Sequence, residues 1–296
     1  MKLSQVGEDR LLEQLLPSLS IRQNALAAAG DDCAVVKLPS GDKVLLLKTD
    51  CVVERIHFES ATDPVLIGWK AMMRPLSDFA AMSGLPQWAL VTLVVPATRS
   101  TTWVKKIYRG LSSAAKRFGV SIVGGETSNT RGPAVISVSV AGVAEKNRWV
   151  SRGGGKTGDD LFVTGRLGCS RRGMHLRFVP RIKESRWLTG HFSIHAMIDL
   201  SDGLGADLPR LARASSVGFK IDLETLPLNR GARIRNAISN GEDYELLFAV
   251  SQRDRSRLQR AWMKKFPRLP LTRIGKLDSK FEIRNSKLLR GYLHFQ

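Results

Sequence analysis

The chain of 296 residues carries 46 Lys+Arg against 27 Asp+Glu, a formal net charge of +19, with 43% hydrophobic and 25% charged residues. That length suits one large or two mid-sized domains, and that balance excludes wholesale disorder. No apolar run approaches the roughly 18–20 residues of a membrane span, and acids at Glu8 and Asp9 stand where a secretory leader would be apolar. Cys33, Cys51 and Cys169 lie too far apart for a disulfide framework or a zinc site, which points to a reducing cytoplasm.

Taken in chain order, Gly7 to Leu16 has the spacing of a short amphipathic helix stopped by Pro17. Lys43 to Thr49 reads as a strand ending on Asp50. Pro64 to Met82 has apolar residues at helical spacing, with Pro64 suited to the first turn and Pro75 expected to break or kink the helix. Trp88 to Val95 predicts a strand and Thr101 to Phe118 a second long helix. Ile122-Val123 predicts a short buried strand leading into Gly124-Gly125. Ala134 to Val143 alternates Val135/Ser137/Ser139 with Ile136/Val138/Val140, the pattern of a strand with unlike faces. In the second half, Leu161 to Thr164, Ala196 to Ile198, Phe219 to Leu223 and Tyr244 to Val250 read as strands. Leu204 to Ala214 and the basic Ser251 to Lys265 read as helices. Cys169 to Arg186, dense in Arg and Lys, has no clear period. The Gly/Lys-rich stretch 145–158 is the natural hinge between two α+β halves, 1–145 and 146–296.

The charge is uneven. Residues 1–145 hold 16 Lys+Arg and 13 Asp+Glu, a net +3; residues 146–296 hold 30 and 14, a net +16. A basic surface of that kind fits nucleic acid, an anionic membrane, phosphorylated small molecules, or simply a solvated arginine-rich face. Gly155-Lys156-Thr157 ends like a phosphate-binding loop, but position 150 is Val where that loop needs Gly, and a strand rather than a helix follows. Arg152 is then the one phosphate-capable side chain of a flexible turn.

A more specific signal is a set of acids at element ends: Asp31-Asp32 after Gly30, Thr49-Asp50, Ser77-Asp78, Gly124-Gly125-Glu126-Thr127 and Asp199-Leu200-Ser201-Asp202-Gly203. Singly, each acid reads as a cap or turn residue, and Asp202 could cap the helix from Leu204. Together, in a basic chain, they fit oxygen-seeking Mg²⁺ ions serving a polyphosphate substrate.

The same segments carry a resemblance. Gly30-Asp31-Asp32-Cys33-Ala34-Val35-Val36, Ile56-His57-Phe58, Leu76-Ser77-Asp78-Phe79-Ala80-Ala81-Met82, Ile198-Asp199-Leu200-Ser201-Asp202-Gly203, Gly241-Glu242-Asp243-Tyr244-Glu245-Leu246 and the closing Gly291-Tyr292-Leu293-His294-Phe295 are similar, in order, to the signature of thiamine-monophosphate kinases. The match runs from about Gly7 to Phe295. It implies an α/β (α+β) chain with the two-domain aminoimidazole-ribonucleotide-synthetase-like fold. An N-terminal mixed sheet with helices would bind ATP and metal and dimerise; a C-terminal α+β domain would close the cleft. The implied reaction is ATP-dependent phosphorylation of thiamine monophosphate to thiamine diphosphate in a cytoplasmic homodimer, with no membrane or nucleic-acid partner. By the resemblance, Asp32, Thr49, Asp50, Asp78, Glu126, Asp199 and Asp202 hold Mg²⁺, and Tyr108, Gly125, Glu126, Arg152 and Ser201 contact ATP. His57, Glu242 and Tyr292 contact the thiamine phosphate, and Asp50, Asp78, Arg152 and Asp199 carry the catalytic weight.

The chain departs from the family pattern in five places. Lys48 stands where Ser is usual, Glu126 where Asp is usual, and Pro75 where Asn is usual, and the segments 168–181 and 228–241 are short. The extra methylene of Glu126 moves a ligand by roughly 1.5 Å. Lys48 adds a cation that either replaces a Mg²⁺ electrostatically or points elsewhere. Two alternatives follow: a sibling ATP-dependent enzyme of the same superfamily, or a degenerate kinase fold that binds RNA or another ligand. The first lacks the Cys nucleophile of selenophosphate synthesis and the C-terminal Cys of the hydrogenase-maturation relative. The second lacks interleaved aromatics, since Trp187, Phe192, Trp262 and Phe266 are scattered among the basic residues.

Overall fold

Alternating hydrophobic positions build two sheets, one from each half of the chain, in the computed structural model, which describes residues 3–280. In the first half, α1 (Leu3–Val6) and α2 (Glu8–Leu15) precede β1 (Ala25–Ala27), β2 (Ala34–Lys37), β3 (Lys43–Val53), α3 (Pro64–Ala81), β4 (Leu85–Val95), α4 (Thr101–Phe118), β5 (Ser121–Asn129) and β6 (Val135–Glu145). The second half runs β7 (Asp160–Thr164), α5 (Ile182–His191), β8 (Ile194–Asp199), α6 (Leu204–Ala214), β9 (Gly218–Ile221), α7 (Ile234–Ser239), β10 (Leu246–Val250), α8 (Arg255–Lys265) and β11 (Leu271–Asp278). The first sheet has the order β1-β2-β3-β6-β4-β5, antiparallel except for the parallel β4–β5 pair. The second, β8-β10-β7-β11-β9, is antiparallel throughout.

Side-chain alternation assigns the faces. In β3, Val44, Leu46 and Val52 are buried, and Lys48 and Asp50 on the same side reach residues of α3. The predicted unlike faces of β6 are present: Ile136, Val138 and Val140 are buried while Ser139 is exposed. The opposite face of the first sheet is open and apolar. Leu47, Trp88, Leu90 and Val123 line a groove of about 530 Å³ there. β3 continues past Asp50 to Val53, so Asp50 lies within the strand. Likewise β5 is longer than two residues and almost wholly exposed, and Gly124 to Thr127 lie in its middle. Parallel pairing with β4 over its length holds it extended.

The expected break at Pro75 does not occur. α3 starts on the Asp63 side chain, which accepts from the Val65 N–H at 3.0 Å, and runs uninterrupted through Pro75 to Ala81. A proline inside a helix costs about 3 kcal/mol. Met72, Met73, Leu76 and Phe79 are fully buried around it, and each contributes about 1.5–3 kcal/mol by burial, so packing decides. α3 contacts α4, β3 and β6 and, from the second half, α5 and β8. Its approach to α4 depends on a reciprocal glycine pair. A Cβ on Gly68 would stand 2.0 Å from the Ile107 carbonyl oxygen, and one on Gly110 2.0 Å from that of Val65.

The second sheet is covered on both faces. Phe162, Phe248, Leu246 and Val250 join the first core with Ile182 and Leu188 of α5 and Leu258 and Trp262 of α8. Leu161, Val163, Leu247 and Ala249 face the second core with Leu204, Leu208 and Leu211 of α6. The aperiodic segment from Cys169 forms two short 3₁₀ turns before α5 begins at Ile182. Much of the basic excess is engaged internally. Arg255 and Arg273 both donate at 2.6 Å to the buried Asp160 carboxylate, Arg181 pairs with Glu245, and Arg186 reaches Glu145 at 2.6 Å.

Replacing Gly68 or Gly110 with Ala should lower stability by about 1–3 kcal/mol. At Gly132 a Cβ meets only the Thr130 hydroxyl, at 3.5 Å, and Gly132→Ala should be close to neutral. Urea unfolding checks this, and equal midpoints for all three variants would refute the close helix contact.

Candidate active site

Three acids from three separate elements converge where the two sheets meet. Asp32 lies in the turn before β2, Asp78 near the end of α3 and Asp199 at the end of β8; one carboxylate oxygen of each lies within 4.8 Å of the others. All three are buried. The Ser77 hydroxyl donates to Asp199 Oδ2 at 2.6 Å, and Lys48 Nζ stands 2.9 Å from Asp78 Oδ1. Lys48 thus points into the cluster. Asp50, two residues along β3 on the same face, has the Arg74 guanidinium 3.7 Å away.

Burial and mutual repulsion shape the electrostatics. Burial, then the neighbouring Asp32, pushes Asp199 up to about 7, and burial drives Asp78 well above the usual carboxylate range. Burial also acts on Asp50, but Lys48 and Arg74 outweigh it and hold that carboxyl below its ordinary value. Asp31, beside the cluster, is raised to about 6 by burial and by Asp32. Arg152 closes this side: its guanidinium donates to Asp32 Oδ1 at 2.6 Å and to the Gly30 carbonyl at 3.3 Å, and its backbone N–H to Asp31 at 3.1 Å. The other Asp32 oxygen, Oδ2, is buried without a hydrogen-bond partner among the described residues. An all-oxygen donor set with an unsatisfied buried carboxylate oxygen fits a hard cation such as Mg²⁺.

A second grouping involves His57 and Glu242, which come from opposite halves of the chain. The fully buried Lys70 of α3 joins them, donating from Nζ to the His57 carbonyl at 2.7 Å and to the Glu242 carboxylate. Burial lowers Lys70 to about 8 despite Glu242. His57 Nδ1 accepts from the Val53 N–H at 3.0 Å, which fixes the ring. Glu242 and Tyr244 both have left-handed backbone, φ 59° and 52°, uncommon away from glycine. Their N–H groups are held by the Ser201 and Leu200 carbonyls at 2.6 and 2.8 Å.

The other expected site residues lie outside these two groupings. Asp202 does not cap α6, since Gly203 occupies that position and the Asp202 carboxylate pairs with Arg210; Asp202 and Ser201 line the cleft. Thr49 directs its hydroxyl to the open face of the sheet, where it accepts from Ser139 at 3.0 Å, because consecutive strand residues point to opposite faces. Glu126 is exposed on β5, three strands from β3, a separation of about 14 Å at ~4.8 Å per strand, so it cannot join Asp50 within one chain. Gly125 packs against β4, where a Cβ would stand 1.8 Å from the Val91 carbonyl oxygen. Tyr108 of α4 packs against the first core. Tyr292 lies outside the described residues. Sequence reasoning missed Lys70 and Arg74, although Lys70, Arg74 and Asp78 recur four residues apart and so share one face of α3.

The description "AIR synthase related protein, N-terminal domain" matches residues 30–144, and "AIR synthase related protein, C-terminal domain" matches residues 152–284. Thiamine-monophosphate kinase of Rhodopirellula baltica is 38% identical over 266 residues, covering 84% of this chain and 82% of that one. The enzyme of that name from Aquifex aeolicus is 33% identical over 94% of each chain. The chain belongs to the thiamine-monophosphate kinase family. A solved structure of the family, AaThiL complexed with AMPPCP and TMP, superposes with a TM-score of 0.84 at 31% identity over 99% of each chain. Against the family pattern, the three departures in residue type now have distinct meanings. Lys48 is ion-paired to Asp78 of the cluster, Pro75 is absorbed by α3, and the added length of Glu126 does not bear on its own chain's cluster.

Lys48→Ala should remove the cation facing Asp78 and Asp50 and lower stability by up to about 3 kcal/mol in the absence of divalent cations, less where Asp78 takes up a proton. Millimolar Mg²⁺ should then raise the thermal midpoint more in the variant than in the wild type. Equal Mg²⁺ responses would show that Lys48 does not offset the cluster's charge.

Proposed function

We propose that this chain transfers the γ-phosphoryl group of ATP to thiamine monophosphate, yielding thiamine diphosphate and ADP. The observation that carries the reading is the buried three-acid cluster flanked by Lys48, Arg74 and Arg152, in a chain of this family. The acceptor is a phosphate oxygen already anionic at neutral pH, so no side chain has to abstract a proton. The obstacle is repulsion between two polyanions, and catalysis amounts to positioning and charge neutralisation. Asp32, Asp78 and Asp199, with Asp50, would hold Mg²⁺, which supplies that neutralisation when bound. Arg152, tethered over the cluster through Asp32, would meet the phosphates of ATP. Ser201 and Asp202 line the same cleft, and His57 and Glu242, joined by Lys70, form its thiamine end.

We divide the chain into an N-terminal domain, 1–145, and a C-terminal domain, 146–296, with the cleft between them. We also read the open apolar face of the first sheet as a homodimer surface, since Trp88, Leu90 and Val123 are 47%, 50% and 59% exposed there. Tyr108, Gly125 and Glu126 lie off their own chain's cluster, and we assign their ATP contacts to the cleft of a second copy. Among the described residues no helix is long and apolar enough to cross a membrane, and all three cysteines are free, in keeping with a cytoplasmic enzyme.

ADP release coupled to thiamine monophosphate tests the activity. Asp199→Asn should reduce turnover by about 100-fold or more, and wild-type turnover no higher than that of Asp50→Ala at millimolar Mg²⁺ would overturn the reading. Trp88→Asp should convert a dimer to monomers in sedimentation and lose activity with it. An active monomer would refute the assignment of Glu126 to a second copy's cleft.

A further inference from the structure

The cleft holds two buried donors that the protein itself leaves unsatisfied. Arg74 Nε and Tyr244 Oη have no hydrogen-bond partner among the described residues, and both residues line the cavity of about 470 Å³ that contains the acids. A buried donor without a partner is costly, and two of them on residues that line one cavity call for a ligand. Neutralising Asp50 does not account for Arg74. The nearest approach, 3.7 Å from Nη2, is too long for a hydrogen bond and leaves Nε unused. Tyr244 is held in place: its ring stacks on Phe178 at 3.7 Å between centroids, and its N–H bonds to the Leu200 carbonyl at 2.8 Å.

Their position along α3 identifies the ligand. Lys70, Arg74 and Asp78 share one face of the helix, successive members about 6 Å apart along its axis. Lys70 touches His57 and Glu242, and Asp78 belongs to the carboxylate cluster. Arg74 therefore stands between the thiamine end and the metal end, where a linking group must be anionic and rich in acceptor oxygens. We propose that Arg74 Nε and Tyr244 Oη donate hydrogen bonds to the phosphate of thiamine monophosphate, holding the attacking oxygens beside the cluster. The inference rests on the function proposed above and adds two acceptor-binding residues to it.

Calorimetric titration of the full-length protein at millimolar Mg²⁺ tests it, using thiamine monophosphate, unphosphorylated thiamine and AMPPCP in turn. Tyr244→Phe keeps the ring and its stacking and removes only the hydroxyl; Arg74→Lys keeps the charge and removes the Nε donor. Each should weaken thiamine monophosphate about ten- to hundredfold while leaving thiamine and AMPPCP affinities unchanged. Unchanged thiamine monophosphate binding in Tyr244→Phe overturns the pair, as does an equal loss for thiamine, which would indicate a pocket-shaping role. A loss confined to AMPPCP overturns it in favour of a site for the donor nucleotide. Wild-type protein that binds no thiamine monophosphate overturns the function itself, and is distinguished from failure of the pair by that arm alone.

Discussion

Like charges forced into one buried volume set the terms for this protein. Asp32, Asp78 and Asp199 repel one another in a place where water screens them little, and Asp50 stands beside them. Such an arrangement persists only if the chain supplies opposite charge or keeps some groups protonated, and it does both. Lys48, Arg74 and Arg152 each face one of the acids, while Asp199 and Asp78 are biased toward their protonated forms. The cluster is therefore held ready for more positive charge than the protein provides.

The architecture follows from the need to assemble that cluster from distant parts of the chain. The last residue of β8 belongs to the second sheet, the turn before β2 to the first, and α3 touches both. A core shared by α3, α5, α8 and one face of the second sheet fixes the halves against each other. Arg186 adds a polar tie, reaching Glu145 at the end of β6 and the Ser83 carbonyl at 2.9 Å. The glycine pair at Gly68 and Gly110 seats α3 close against α4, and the positions of Lys70, Arg74 and Asp78 depend on that seating.

Local pattern made the elements legible where one force dominated. The helices Thr101–Phe118 and Leu204–Ala214 end where the 3.6-residue spacing of apolar residues ends, and β6 shows the alternation its sequence displays. Reading failed where tertiary packing overrode a local rule, as at Pro75, or where pairing with a neighbour extended a strand, as in β5. The acids of the site were legible as a set because carboxylates at element ends are unusual in number. Which of them meet was not, because that depends on strand order: Glu126 and Asp50 carry similar motifs but sit on β5 and β3, with β6 and β4 between them. Lys70 and Arg74 were obscured by the habit of reading a cation on a helix as solvated surface.

Glu242 and Tyr244 hold backbone angles that glycine would adopt without strain, and each such residue costs of order 1–3 kcal/mol. Both side chains tie the turn to its surroundings, Glu242 accepting from Lys70 and Tyr244 stacking on Phe178, so a glycine that relieved the backbone would undo those contacts. Attempts to make a more heat-resistant form of this protein would do better to spare residues 241–245 and seek their gains in loops remote from the cleft.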